Sequence, residues 1–262
     1  MENPAIEVNN FSYSFGNGDV LNSVSFAVKK GEYFSIVGPN GSGKTTLLKN
    51  IMRILTGGKG IIRAGGIDVR DFSQRELAKV ISYVPQPDGR GYPFQVWEFI
   101  LMSKYPYLNP FSKITAKDER EVDEVLESVH MNRFKNRDMN TLSSGERQKI
   151  MISASLMQKA DIFLLDEPTT FLDPKHEEEI NRILKRLNRE RRITIVSVTH
   201  NINLAAILSD EILALKNGRI VYFGSPDGFM DGRVLSSIYD KEFELITHPG
   251  KNIKVILPEV IC

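Results

Sequence analysis

Gly38-Pro39-Asn40-Gly41-Ser42-Gly43-Lys44-Thr45 fits the pattern G-x-x-x-x-G-K-[ST] at every fixed position. The apolar run Phe34-Ser-Ile-Val37 precedes it, and the helix-like run Thr46-Leu-Leu-Lys-Asn-Ile-Met52 follows it. Strand, glycine-rich loop and helix, in that order, make a cradle for phosphate. Glycines let the loop curl with its N–H groups pointing inward, and the helix adds the positive end of its dipole. Lys44 can reach the β- and γ-phosphates of a nucleotide, and the Thr45 hydroxyl can ligand Mg2+. The cradle read this way runs from Gly38 to Thr46.

Composition sets the frame. A chain of 262 residues holds one large domain or two small ones and can bury a substantial core. Hydrophobic residues at 41% and charged residues at 26% are ordinary for a globular protein. A net charge of +1 gives no global electrostatic case for nucleic acid. The single cysteine, Cys262, excludes an intramolecular disulfide framework and suits a reducing cytoplasm. No signal-peptide pattern opens the chain, and no apolar run approaches the roughly 20 residues that span a bilayer. A membrane role is therefore expected to come through a partner.

Before the loop, Ile6-Glu-Val8 alternates, and Phe11, Tyr13 and Phe15 share one face at period two. Gly16-Asn-Gly18 reads as a turn, and Val24 to Val28 as another strand. Gly57 to Gly60 is expected to end the helix after the loop. Ile61-Ile62 and Ile67 to Val69 read as a hairpin around Gly65-Gly66. Val80 to Val84 reads as a strand ending at Pro85-Gln86. Pro87 to Ser112 is rich in Gly, Pro and aromatics. A helix is expected over 116–131, with Val122, Val125, Leu126 and Val129 on its apolar face. Another is expected from Ser144 to about Lys159. Ile162 to Leu165 and Ile193 to Val198 have the unbroken apolar pattern of a covered sheet, with a helix from Glu177 to Arg192 between them. Lys216-Asn-Gly218 is a hairpin turn signal. The remaining tail gives weaker signals.

Two further segments carry chemistry. Asp166, at the C-terminal edge of an apolar strand, is placed to hold a metal through water, and Glu167 beside it is a candidate base for the attacking water. Leu142-Ser-Ser-Gly-Glu-Arg-Gln148 has a helix-start pattern in Ser143, Ser144 and Glu146, and such a helix start is also an anion site.

These motifs together resemble the nucleotide-binding subunit of an ATP-binding cassette (ABC) transporter. The phosphate loop, the L-S-x-G-E/Q signature, Leu165-Asp166-Glu167-Pro168-Thr169, Leu172-Asp173 and Thr199-His200 stand in that family's order and spacing. The resemblance implies an α/β phosphate-loop NTPase (RecA-like) core with an antiparallel β subdomain and an inserted α-helical subdomain. It implies one domain over 1–262: core and β subdomain at 1–86 and 158–235, helical subdomain at 87–157, tail at 236–262. ATP and Mg2+ are the implied ligands. Lys44 and the loop amides would bind the phosphates. Thr45, Gln86 and Asp166 would hold Mg2+, Asp166 through water. Glu167 would polarise the hydrolytic water, and His200 would contact the γ-phosphate. Ser143, Ser144, Gly145 and Glu146 would clamp ATP held by a second copy, and Asp173 would couple the two sites. Phe15, with Tyr13 as second choice, would stack on adenine. Two departures stand out: Ser144 where glycine is commonest, and Thr170-Phe171 where small residues are usual.

The implied assembly is a homodimer on the cytoplasmic face of the membrane, bound to permease subunits and served by an extracytoplasmic solute-binding protein. Tyr92-Pro-Phe-Gln-Val-Trp-Glu-Phe99, after Gln86, offers an aromatic surface for the permease. The segment from Val96 to Phe111, with Thr199 to Ala206 and Thr247-His-Pro249, is similar to the subfamily importing iron–siderophore complexes, haem and cobalamin. An exporter subunit would share every catalytic residue. A soluble ABC ATPase acting on DNA or ribosomes would usually carry two cassettes or long coiled-coil insertions, and this chain has one phosphate loop. A simple nucleotide-binding switch would leave the signature segment unexplained.

Overall fold

A computed structural model describes residues 3–16, 18–86, 91–109, 112–247 and 253–257. Its elements run β1 (Ile6–Ser14), β2 (Asp19–Val28), β3 (Tyr33–Val37), α1 (Lys44–Ile51), β4 (Lys59–Ala64), β5 (Ile67–Asp68), α2 (Gln74–Val80) and β6 (Ile81–Val84). Then come α3 (Val96–Met102), α4 (Ala116–Ser128), α5 (Ser144–Met157), β7 (Ile162–Asp166), α6 (Pro174–Arg191) and β8 (Thr194–Val198). The chain continues with α7 (Ile202–Leu208), β9 (Glu211–Lys216), β10 (Arg219–Gly224), α8 (Pro226–Phe229), α9 (Gly232–Tyr239), β11 (Leu245–Thr247) and β12 (Lys254–Ile256). Asn17, Pro110-Phe111, His248-Pro249 and Cys262, which the sequence reading invoked, lie outside the described residues. Two compact units emerge, one of residues 1–70 and 194–262, the other of 71–193.

The first unit carries the phosphate loop. Strand β3 has all five side chains buried, as a strand flanked on both sides requires. It runs parallel to β8 and β9, and β9 turns back into β10 through Asn217 and Gly218, both at positive φ. An antiparallel sheet of order β2-β1-β4-β5 packs beside it, with Phe26 and Phe34 stacked 5.5 Å apart. Val37, Ala205, Ile212, Ala214 and Phe229 begin a second apolar cluster, covered by α7, α9 and the β11–β12 hairpin.

Helix α1 ends at Ile51, earlier than the glycine run led us to expect. Met52 caps it, and Arg53 takes φ +54°. Arg53 N–H donates to Asn50 O (3.0 Å) and Ile54 N–H to Lys49 O (2.9 Å), the two bonds of a Schellman turn. The turn here is built on arginine rather than glycine. Phe15 also departs from the expectation. Phe11 and Tyr13 are buried on β1, but the strand ends at Ser14 and Phe15 projects from its end.

In the second unit β6 and β7 pair in parallel, with Tyr83 opposite Leu164. All five residues of β7 are buried, including Asp166. Helix α4 starts at a Thr115–Asp118 capping box, and its Val122, Val125, Leu126 and Val129 are buried as expected. Helix α6 begins at Pro174, three residues before the expected start, because Asp173 caps it and proline suits the first helical position. Lys104 bonds Asp118 and Glu121, and Lys159 also bonds Glu121 (2.7 Å). The Asp118 carboxyl is held far below the usual range by the Lys104 ammonium and by the Thr115 hydroxyl. Helix α2, announced by a Ser73–Glu76 capping box, and the short α3 were not anticipated.

Candidate active site

Strand β3 delivers the chain to Gly38, where φ is +137°. A Cβ there would run into the Leu215 carbonyl oxygen, so glycine is required by conformation and by space together. Gly43 caps α1 at φ +102° and, having no side chain, makes no side-chain cap bond to the helix. A Cβ on Gly43 would sit 2.8 Å from Leu21 Cδ2 and 2.9 Å from Val20 O. Lys44 is 5% exposed, and its Nζ donates to the carbonyls of Gly38 and Pro39, at 2.9 Å each. The ammonium thus folds back along the loop it would share with a phosphate. The buried Ser42 hydroxyl has no hydrogen-bond partner among the described residues. A glycine-lined curl, a buried cation, an uncapped helix start and a spare buried hydroxyl fit a polyphosphate.

Thr199 N–H donates to Ile36 O (3.2 Å), which sets His200 at the same end of the sheet as the loop. Phe15 is 63% exposed and meets Tyr13 edge-on, ring centroids 5.0 Å apart. Tyr13 is only 8% exposed, so Phe15 is the ring whose face a base could reach. The adjoining Ser14 pairs with Asp19 at the head of β2, next to the Val20 and Leu21 that crowd Gly43.

The second unit brings together the acidic residues. Asp166 is 2% exposed and accepts a hydrogen bond from the Tyr83 hydroxyl (3.2 Å). Burial and the Asp166 charge both push the Tyr83 phenol well above its ordinary value, so it stays a donor. Glu167 takes φ +51°, and its Oε2 accepts from Gln86 Nε2 (3.0 Å) and from the Thr170 hydroxyl (3.1 Å). Gln86 and Glu167 are thus bonded directly, and Asp166, the residue before Glu167, is held by Tyr83. Tyr83 and Thr170 were missed. Pairing the two apolar strands in parallel would have found Tyr83, since it faces the last residues of β7. Among the described residues no three His, Cys, Asp or Glu side chains form a metal cluster. Within the second unit the Gln86 carboxamide and the Asp166 carboxylate offer oxygen donors, the kind of ligand that Mg2+ accepts.

Ser143 caps α5. Its N–H (2.9 Å) and hydroxyl (3.0 Å) donate to Glu146 Oε2, and its Oγ accepts from Glu146 N–H (3.3 Å). Burial would raise the Glu146 carboxyl, but these bonds and the nearby Arg137 and Arg133 hold it below its ordinary value. Ser144 is the first helical residue and is exposed. Gly145 is buried, and a Cβ there would lie 2.6 Å from the His176 ring. His176 N–H donates to Asp173 Oδ1 (3.0 Å), and its Nδ1 lies 2.6 Å from Asp173 Oδ2. Signature helix and Asp173 are thereby linked through one imidazole. Phe171, between Glu167 and Asp173, is 80% exposed at φ +65°, a conformation that is strained for a bulky residue.

A family profile described as ABC transporter matches residues 21–170. The chain belongs to the ABC transporter family. Among relatives of this ABC subunit, the iron(3+)-hydroxamate import ATP-binding protein FhuC of Bacillus subtilis is 32% identical, over 93% of this chain and 90% of its own. The petrobactin import ATP-binding protein YclP of Bacillus subtilis is 34% identical, over 95% of this chain and 98% of its own. The dimeric structure of MJ0796, a bacterial ABC transporter cassette, superposes with a TM-score of 0.73 at 31% identity, covering 84% of this chain and 98% of that one. The fold is that of the phosphate-loop ABC ATPases, and the chain is an ATP-binding cassette ATPase. Among the described residues no helix is long and apolar enough to cross a membrane.

Proposed function

We propose that this chain is the motor subunit of an importer for iron chelates of the siderophore type. Two copies would sandwich ATP on the cytoplasmic face of the membrane, beneath permease subunits fed by an external binding protein. The observation that carries the motor reading is the pair of helix starts in one chain: the glycine-capped start of α1 behind the phosphate loop, and the serine-capped start of the signature helix. The names of the hydroxamate and petrobactin relatives support the choice of cargo.

In this reading Lys44 and the loop N–H groups neutralise the β- and γ-phosphates. Mg2+ would be held by Thr45, Gln86 and Asp166 and would offset developing charge on the phosphate oxygens. Glu167, oriented by Gln86 and Thr170, polarises a water whose oxygen attacks the γ-phosphorus. The bond from that phosphorus to the bridging oxygen of ADP breaks, and the proton lost by water passes toward the carboxylate. His200 contacts the γ-phosphate, and Ser143 and Gly145 would hold it from the second copy. Hydrolysis removes the charge that ties the copies together. The exposed Phe94, together with Tyr92 and Phe99 paired 5.2 Å apart, supplies the surface for the permease.

The test uses tagged Glu167→Gln with MgATP on detergent-solubilised membranes of the source organism. A polytopic permease should copurify, and an iron–hydroxamate-loaded binding protein should stimulate ATPase activity of the wild-type assembly. Ribosomal or DNA-associated partners alone would overturn the transport reading. Stimulation by a different solute would overturn only the cargo.

A further inference from the structure

The tail of the chain is tied to the helix that follows His200. Strand β12 pairs on one edge with β11, Ile256 opposite Leu245. On its other edge stands the side chain of Asn203 of α7. Ile256 N–H donates to Asn203 Oδ1 (2.8 Å), and Asn203 Nδ2 donates to Ile256 O (3.3 Å). The carboxamide thus fills the place of a neighbouring strand, using both its donor and its acceptor. Leu245 and Ile256 also pack against the cluster around Ala205, Phe229 and Leu235.

Helix α7 needs such help. Its seven residues are too few to be stable alone, so its position comes from tertiary contacts. Ala205 anchors its inner side, and Asn201, directly after His200, caps its start by accepting from Leu204 N–H (3.0 Å). Asn203 lies three positions after His200, in the first turn of α7.

We propose that Asn203 is a positioning residue for His200, and that the β11–β12 hairpin is the anchor against which it works. The hairpin fixes α7, α7 fixes the Asn201 cap, and the cap fixes where the His200 side chain leaves the backbone. This inference rests on the reading of His200 as the γ-phosphate contact.

The test measures ATP turnover of the full chain in its transport assembly. Asn203→Leu keeps size and helix propensity but removes both bonds. We expect kcat to fall about tenfold through misplacement of His200, with KM for ATP changed by less than about twofold because the phosphate loop is untouched. Ile256→Pro removes the N–H donor from the other side and leaves α7 intact. It should give the same kcat loss, and the double variant should be no worse than either single one. Turnover unchanged in Ile256→Pro, with amide exchange showing the hairpin released, would overturn the proposal even if Asn203→Leu failed to fold. So would additive losses. A His200→Ala control separates the two readings. Full turnover in that variant removes the role of His200 itself, whereas lost turnover there with normal turnover in Asn203→Leu and Ile256→Pro removes only the positioning role of Asn203.

Discussion

The helices α1 and α5 start in opposite ways. Helix α1 begins at a glycine, with no side chain to satisfy its first N–H groups. Helix α5 begins at Ser143, whose cap is closed reciprocally by Glu146. Both starts carry the positive end of a helix dipole. One lacks a capping side chain at its cap residue, and the other is closed by its own side chains. A helix start held by its own side chains can take a phosphate only by sharing those groups. In the proposed motor the phosphate loop would supply affinity, and the signature helix would supply a rigid surface with a hydroxyl and N–H groups for a shared phosphate.

Substitutions in the two regions should separate along the same line. Glu167→Gln should lower turnover about 1000-fold while MgATP binding survives, because only the base is lost. Single-turnover kinetics and equilibrium binding on that variant check it, and wild-type rates would remove Glu167 from the chemistry. Gly38→Ala forces a methyl into the Leu215 carbonyl at a conformation alanine resists, and should cost about 3 kcal/mol in stability with loss of nucleotide binding. Denaturant unfolding and ATP titration measure both. Lys44→Ala should weaken ATP binding about 10- to 100-fold and no more, since the backbone nest remains. Ser143→Ala should cost about 1 kcal/mol of stability with or without ATP, and Ser143→Thr should restore most of it.

The smallest effect concerns acid. Glu146 is held below the ordinary 4.5 by its bonds to Ser143. Its share of the cap is therefore complete above that pH and drains away as pH falls through the lowered value of the folded state, on the order of a few tenths of a kcal/mol. Urea unfolding from pH 5 downward to about pH 2 should show this loss in the wild type and a smaller one in Ser143→Ala.

Legibility in the sequence follows how local the determinant is. The loop, β3, α5 and β7 were readable because glycine spacing, apolar runs and a capping pattern are written in neighbouring residues. The end of α1 was misread because Arg53, not glycine, adopts the left-handed turn. The Ser73–Glu76 box that opens α2 was legible and overlooked. Tyr83 on Asp166 and Asn203 on Ile256 depend on which strands and helices come together, and no short-range pattern encodes them. Phe171 was noticed as a departure, but its exposure and its positive φ are visible only in the folded chain.

The His176 ring seated on Gly145 changes how damage at the signature should be diagnosed. A glycine in such a motif is readily credited to the close approach of phosphate. Here the imidazole already forbids a methyl group before any nucleotide arrives. A dead Gly145→Ala enzyme would therefore carry two explanations at once, a blocked ligand and a displaced neighbour that also holds Asp173. Pairing that change with His176→Ala removes the clash, and whatever defect exceeds that of His176→Ala alone belongs to the nucleotide.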